Sequence, residues 1–282
     1  MLQDSVDLFK SFFVYPGLSL NYMLVGIALG IAFGAIWLSA HWPPLFKKPW
    51  FWAVAVVSAF LTVAAFSFIQ VPLQTRLQDW LGNTLSSDTF MTWLLLLGIP
   101  LMLIAGLVQE GAKMIPIAFW WWRSGKKIDP KLGLAIGAIA GAGYGIFEAV
   151  WMHNQMFLSG WTTQAFQTDG FLAIAGFWEK FFTVGFHIAA SALVGYGLAK
   201  GKGWKFYLIA AGLHALLNYC VIFFQKGYFS VVQLETYVAV ITVAVAVWAL
   251  LLRWGRASEE DRNIEIETGA GEPTVTGTGI QP

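Results

Sequence analysis

Seven apolar runs recur along the chain, at about residues 19–41, 50–72, 93–122, 132–153, 178–199, 204–225 and 234–254. A bilayer core of about 30 Å is crossed by about 20 apolar residues in helical form. Each run meets that length, and the third is long enough to tilt or protrude. The expected fold is all-α, a polytopic membrane bundle of about seven transmembrane helices. Composition agrees: 57% of the residues are hydrophobic and 12% charged, where soluble domains carry about 25% charged residues. A net charge of +1 without a basic block gives no reason to expect nucleic acid as a partner. The lipid bilayer is the expected one. The single cysteine, Cys220, excludes an internal disulfide.

Charge in the loops orients the bundle. Lys47 and Lys48, then Arg123, Lys126, Lys127 and Lys131, then Lys200, Lys202 and Lys205, then Arg253 and Arg256 fall on one side. Basic loops stay in the cytoplasm, so the N-terminus is expected outside and the C-terminus inside. Trp42, Trp50, Trp52, Trp120, Trp121, Trp122 and Trp204 gather at the same inner boundary, as an aromatic belt. The N-terminal stretch has no basic region or small-residue cleavage site, so no signal peptide is expected. Residues 1–18 are read as an interfacial segment holding a short surface helix, and 19–257 as the bundle. The polar stretch 258–282 reads as a disordered cytoplasmic tail.

Inside this apolar frame sit groups that hydrocarbon penalises. The third run carries Gln109, Glu110 and Lys113, and a charge at mid-bilayer costs roughly 2.5–3.5 kcal/mol on insertion scales. The fourth carries Tyr144 and Glu148, the fifth His187 and Ser191, the sixth His214 and Asn218. At the helical rise, Glu110, Glu148, His187 and His214 lie roughly 15–24 Å from the inner boundary, near one level. Gly133, Gly137, Gly141 and Gly145 form a smooth stripe for close helix packing. Glu148 shares that face and therefore points into the bundle. Gly26, Gly30 and Gly34 repeat the pattern in the first run. His41, His153, Glu179 and Lys180 are read as interfacial.

Two carboxyls and two imidazoles at one depth suit hydrolysis. A desolvated carboxylate becomes a useful base, and His or Asn donates hydrogen bonds to a developing oxyanion. Lys113, one turn from Glu110, can hold that acid ionised. No Ser/His/Asp order or GxSxG elbow is present and the single Cys has no evident partner, which disfavours nucleophilic catalysis; HExxH is absent too. The same groups could hold zinc, with His187, His214 and one of Glu110 and Glu148 as ligands and the other Glu as base.

The stretches QEGAK (109–113), GAGYGIFEAV (141–150), HIAAS (187–191) and HALLN (214–218) resemble, in order and spacing, the PrsW-like intramembrane proteases. These are relatives of the CAAX prenyl protease and bacteriocin-processing group, of the YhfC family and of the gamma-secretase scaffold subunit. The resemblance covers about residues 91–225. It implies an intramembrane endopeptidase of a prokaryotic cell membrane, acting on membrane-anchored protein substrates. Glu110 and Glu148 would be its acid/base carboxyls, and His187 and His214 its site histidines. Gln109, Lys113, Ser191 and Asn218 would support them. One departure stands out: Gln109 occupies the place of the first acid of a paired-glutamate motif. It keeps open a non-catalytic membrane scaffold of the same superfamily. A zinc-dependent metalloprotease and, more remotely, a proton-coupled carrier are the other readings.

Overall fold

The computed structural model describes residues 2–41 and 47–255, the side chain of Phe171 excepted. Trp42, Arg256 and the tail 258–282 lie outside the described residues. Among the described residues all regular structure is helical: α1 (Leu2–Ser11), α2 (Leu20–Ser39), α3 (Pro49–Ala65), α4 (Val71–Thr84), α5 (Ser87–Arg123), α6 (Pro130–Leu158), α7 (Thr163–Asp169), α8 (Ala175–Ala199), α9 (Gly203–Asn218), α10 (Cys220–Gln225) and α11 (Val231–Trp254). Seven of the helical stretches are long and apolar enough to cross a membrane.

Local chemistry sets the ends of these helices. Ser19, Ser86 and Asp129 accept from the backbone N–H groups of Tyr22, Thr89 and Leu132, capping α2, α5 and α6. Ser230 and Gln233 form a reciprocal capping box at α11. The second span is longer than its apolar run. A π-turn, Phe66–Gln70, joins α3 to α4 without a break, just before Pro72, which has no N–H to give to the helix ladder. The fifth span also begins ahead of residue 178, at Leu172, where a 3₁₀ turn, Gly170–Ile174, leads into α8.

The bundle is built around α6 and α8, the two most buried spans. Helices α2 and α3 pack on α6, α11 and α9 on α8, and α5 closes the circle between α3 and α9. The glycine stripe makes the central contact possible. A methyl group at Gly137 would lie 2.0 Å from the Ser191 carbonyl oxygen, and one at Gly141 2.0 Å from that of His187. From the other side, a methyl on Gly195 would lie 2.0 Å from the Gly133 carbonyl oxygen. The two backbones therefore touch over this length. Gly26, Gly30 and Gly34 seat α2 on Asn154, Val150 and Ile146 of α6 in the same manner.

His41 and His153 depart from the interfacial reading, since both are buried. The ring of His153 stacks on Phe177 at 5.1 Å, and its Nδ1 lies 3.3 Å from the Gly26 carbonyl oxygen. It joins α6 to α2, which is a packing role.

These contacts predict a sharp difference between glycines. Gly137→Ala forces α6 and α8 apart and should cost about 1–3 kcal/mol, the usual range for overpacking. Gly82, a helical glycine with open space around its Cβ direction, should gain up to about 1 kcal/mol on conversion to Ala. Thermal unfolding of the two variants in detergent checks the opposite signs.

Candidate active site

Four helices deliver the polar groups to one place. Helix α5 contributes Glu110 and Lys113, one turn apart; α6 contributes Glu148, α8 His187 and α9 His214. They join in an unbroken chain. His214 Nδ1 lies 2.7 Å from Glu110 Oε1, and Lys113 Nζ is 2.5 Å from the same oxygen. Lys113 Nζ is also 2.9 Å from His187 Nδ1, and His187 Nε2 is 2.9 Å from Glu148 Oε2. The two imidazole rings are 5.3 Å apart, centroid to centroid.

Donor and acceptor rules fix the protons in this chain. An ammonium only donates. With Lys113 charged, His187 accepts at Nδ1, carries its hydrogen on Nε2 and donates it to Glu148. His214 donates from Nδ1 to the Glu110 carboxylate. The neutral tautomer of His187 is thereby set by Lys113, and its ring is aimed at Glu148. Tyr144 packs edge-on against His187 at 5.0 Å, with the Lys113 ammonium 5.7 Å from the centre of its ring.

The two carboxyls are not equivalent. The Glu110 side chain is 0% exposed, whereas that of Glu148 retains 20%. Glu110 is locked between a lysine and a histidine, while Glu148 alone among the acids of the cluster has an accessible edge.

The remaining residues singled out in the sequence fall around this core. Gln109 donates from Nε2 to Gln70 Oε1 at 2.9 Å, not to any member of the cluster. Gln70 belongs to the π-turn, and its own Nε2 reaches Gln74 Oε1 at 3.3 Å. Ser191 is buried one turn beyond His187, and its Oγ has no hydrogen-bond partner among the described residues. Its carbonyl is part of the contact with Gly137. Asn218 ends α9, half-buried, and takes no part in the hydrogen-bonded chain. Lys180 is not an interfacial residue. It is buried, paired with Glu179 at 2.9 Å, and acts on the charge of Glu148. Its spacing of seven residues from His187, two helical turns, was the available signal.

The donors suit a divalent ion. Single ligand atoms of Glu110, His187 and His214 all lie within 4.8 Å of one another, and two imidazoles with a carboxylate make a zinc-type set. Glu110 Oε2 is buried with no hydrogen-bond partner among the described residues. The positive charge now among these donors is the Lys113 ammonium.

Breaking a buried pair by removing one partner leaves an uncompensated charge and costs about 3–5 kcal/mol. Lys113→Met should lower stability by that amount. The double variant Glu110→Gln/Lys113→Met, which removes both charges, should recover most of the loss, read by thermal unfolding in detergent.

A family model described as PrsW family intramembrane metalloprotease matches residues 48–250. The matched region contains every member of the cluster and reaches from α3 into α11. Comparison with curated proteins and with solved structures gave no match. A seven-span helical bundle matched to this family over most of its length is an integral membrane protein, and the chain belongs to the PrsW family of intramembrane proteases.

Proposed function

We propose that the protein hydrolyses peptide bonds of membrane-anchored proteins in a prokaryotic cell membrane, with Glu148 as the base that activates water. The observation that carries this reading is the hydrogen-bonded chain Glu148–His187–Lys113–Glu110–His214, with its single accessible edge at Glu148. Glu148 takes a proton from water as the oxygen adds to the scissile carbonyl carbon. It then returns that proton to the leaving nitrogen as the C–N bond breaks. His187, held in one tautomer by Lys113, keeps the carboxylate oriented.

His214 is the candidate for the oxyanion. Its Nδ1 is committed to Glu110, which leaves Nε2 for substrate. With a hydrogen on each ring nitrogen, His214 donates from Nε2 to the developing negative charge while Nδ1 keeps its bond to Glu110. Lys113 adds a fixed positive charge beside it, in a medium where such charges act strongly. Glu110, His187 and His214 are the residues that would hold a metal. Zinc there would polarise the carbonyl and lower the proton affinity of bound water. The role of Glu148 is the same with or without the ion.

The scaffold alternative draws on Gln109 in the place of an acid. Its Nε2 is spent on the π-turn of the second span and its Oε1 has no hydrogen-bond partner among the described residues, so this glutamine stands outside the hydrogen-bonded chain.

Purified protein in detergent, presented with a panel of single-span substrates, tests the assignment. Glu148→Gln should lower the cleavage rate by about 10²–10⁴-fold, the range for loss of a general base, without loss of fold. Wild-type cleavage by that variant would remove the proposal. Elemental analysis of the same preparations separates base from ligands. Any bound zinc should survive Glu148→Gln and be lost in His214→Ala; zinc lost in Glu148→Gln would exchange the roles of the two acids.

A further inference from the structure

Trp50 and Trp120 stack face to face, with ring centroids 3.7 Å apart and planes 7° from parallel. The pair ties the first turn of α3 to the last turn of α5 at the basic end of the bundle. Beside it the two helices leave a groove of about 350 Å³, lined by Ala53 and Val57 of α3 and by Ile115, Pro116 and Phe119 of α5. Every lining side chain is apolar. Val57, Ile115 and Phe119 are exposed, and on membrane-spanning helices such positions face lipid. Val57 lies seven residues beyond Trp50, so the groove reaches roughly 10 Å inward from the aromatic belt at the helical rise. That length suits the upper part of one acyl chain.

Cations stand at the belt end of this groove. Lys48 is the N-cap residue of α3, two residues before Trp50, and Lys47 precedes it. Arg123 ends α5, one turn beyond Phe119 and Trp120. All three residues are exposed. Among the described residues the acid at this end of the bundle is Asp129, and its carboxylate is engaged in capping α6, accepting from the Leu132 N–H at 2.7 Å. The basic residues here therefore outnumber the acids, and counter-charge has to come from outside the chain. A lipid phosphate is an anion that sits at this depth with an acyl chain attached, and basic pockets between transmembrane helices on the basic-loop side bind anionic headgroups. Arg123 offers a planar fork to phosphate oxygens, and the two lysines offer point charges. A second copy fits poorly, since a two-fold interface on this face would set these cations against themselves.

We propose that the α3–α5 groove is a binding site for one anionic phospholipid, its acyl chain lying over Val57, Ile115 and Phe119 and its phosphate held by Lys47, Lys48 and Arg123. The site is separate from the hydrolytic cluster. Glu110 and Lys113 are buried inside the bundle, whereas Ile115 and Phe119 of the same helix face outward. The bound lipid covers the seam that α3 and α5 share and stabilises the folded chain by mass action. The inference stands whether or not the protein is a hydrolase.

The full chain, purified in an uncharged detergent, is titrated with phosphatidylglycerol or with phosphatidylcholine of the same acyl chains. The apparent Kd is read from the rise in the thermal unfolding midpoint. Phosphatidylglycerol should bind about tenfold tighter or more. Lys47→Gln/Lys48→Gln and Arg123→Gln should each weaken it by about fivefold for every charge removed, the worth of one basic residue beside anionic headgroups. Lys202→Gln/Lys205→Gln makes the same change of charge at the turn between α8 and α9, and should alter the Kd by less than about twofold. Ala53→Trp, which fills the groove and leaves the charges alone, should weaken both lipids. The lysine and arginine variants lie at exposed positions and decide the matter even if Ala53→Trp does not fold. Equal affinity for the two lipids, or equal loss in the two lysine pairs, overturns the site, because diffuse surface charge gives those results. Equal stabilisation by glycerol phosphate alone overturns the lipid, and a midpoint that rises with protein concentration in the absence of lipid seats a second copy in the groove instead.

Discussion

Backbone contact between α6 and α8 decides where every charge in this bundle can sit. In lipid there is no hydrophobic force to press helices together, so close association relies on small residues that admit van der Waals contact along the backbone. The stripe from Gly133 to Gly145 supplies that surface. It places the carbonyl of His187 against Gly141, which fixes the rotation of α8 and aims the imidazole at the neighbouring carboxylate one turn past the stripe. Helices α5 and α9 close on each other likewise, through Gly106 against the Ala211 carbonyl oxygen, and bring Glu110 to His214. Packing by glycine is thus the means by which costly groups are held in register.

Lys113 gives the cluster its electrostatic sense. A lone ammonium at this depth would be strongly disfavoured, yet here it meets a carboxylate and an imidazole at hydrogen-bond distance and lies near an aromatic ring face. Its charge assigns the tautomer of one histidine, and its partner Glu110 assigns that of the other. What looks in sequence like a self-neutralising ion pair is in space the hub that joins both halves of the site. The membrane supplies the low dielectric in which such fixed charges act strongly.

Spans, their number and the inward direction of Glu148 were legible from apolar run length and from periodicity, because those signals are local. So was the company of Glu110, Glu148, His187 and His214, since equal depth and a shared face leave few ways to arrange them. What the sequence withheld was relational. Nothing in the chain near Gln109 announces Gln70 as its partner, because the pairing depends on a π-turn thirty-nine residues away in sequence. Lys180 beside Glu179 reads as a headgroup pair by composition, and only the packing of neighbouring helices around the start of α8 buries it. The inequality of the two acids also escaped, for exposure is set by how the helices pack and not by what they contain.

The π-turn at Phe66–Gln70 has a consequence for how this chain tolerates change in length. Such a turn holds one residue more than regular helical winding needs. Deleting a residue there, Ile69 for instance, would let α3 and α4 merge into a plain helix. Because the wider winding already absorbs that extra residue, α4 would keep nearly its present rotation, with Gln74 still turned toward the Leu101 carbonyl it reaches at 2.8 Å. The segment is therefore where this helix can lose a residue with least change in how α4 faces α5, and the cost falls locally, on the contact of Gln70 with Gln109.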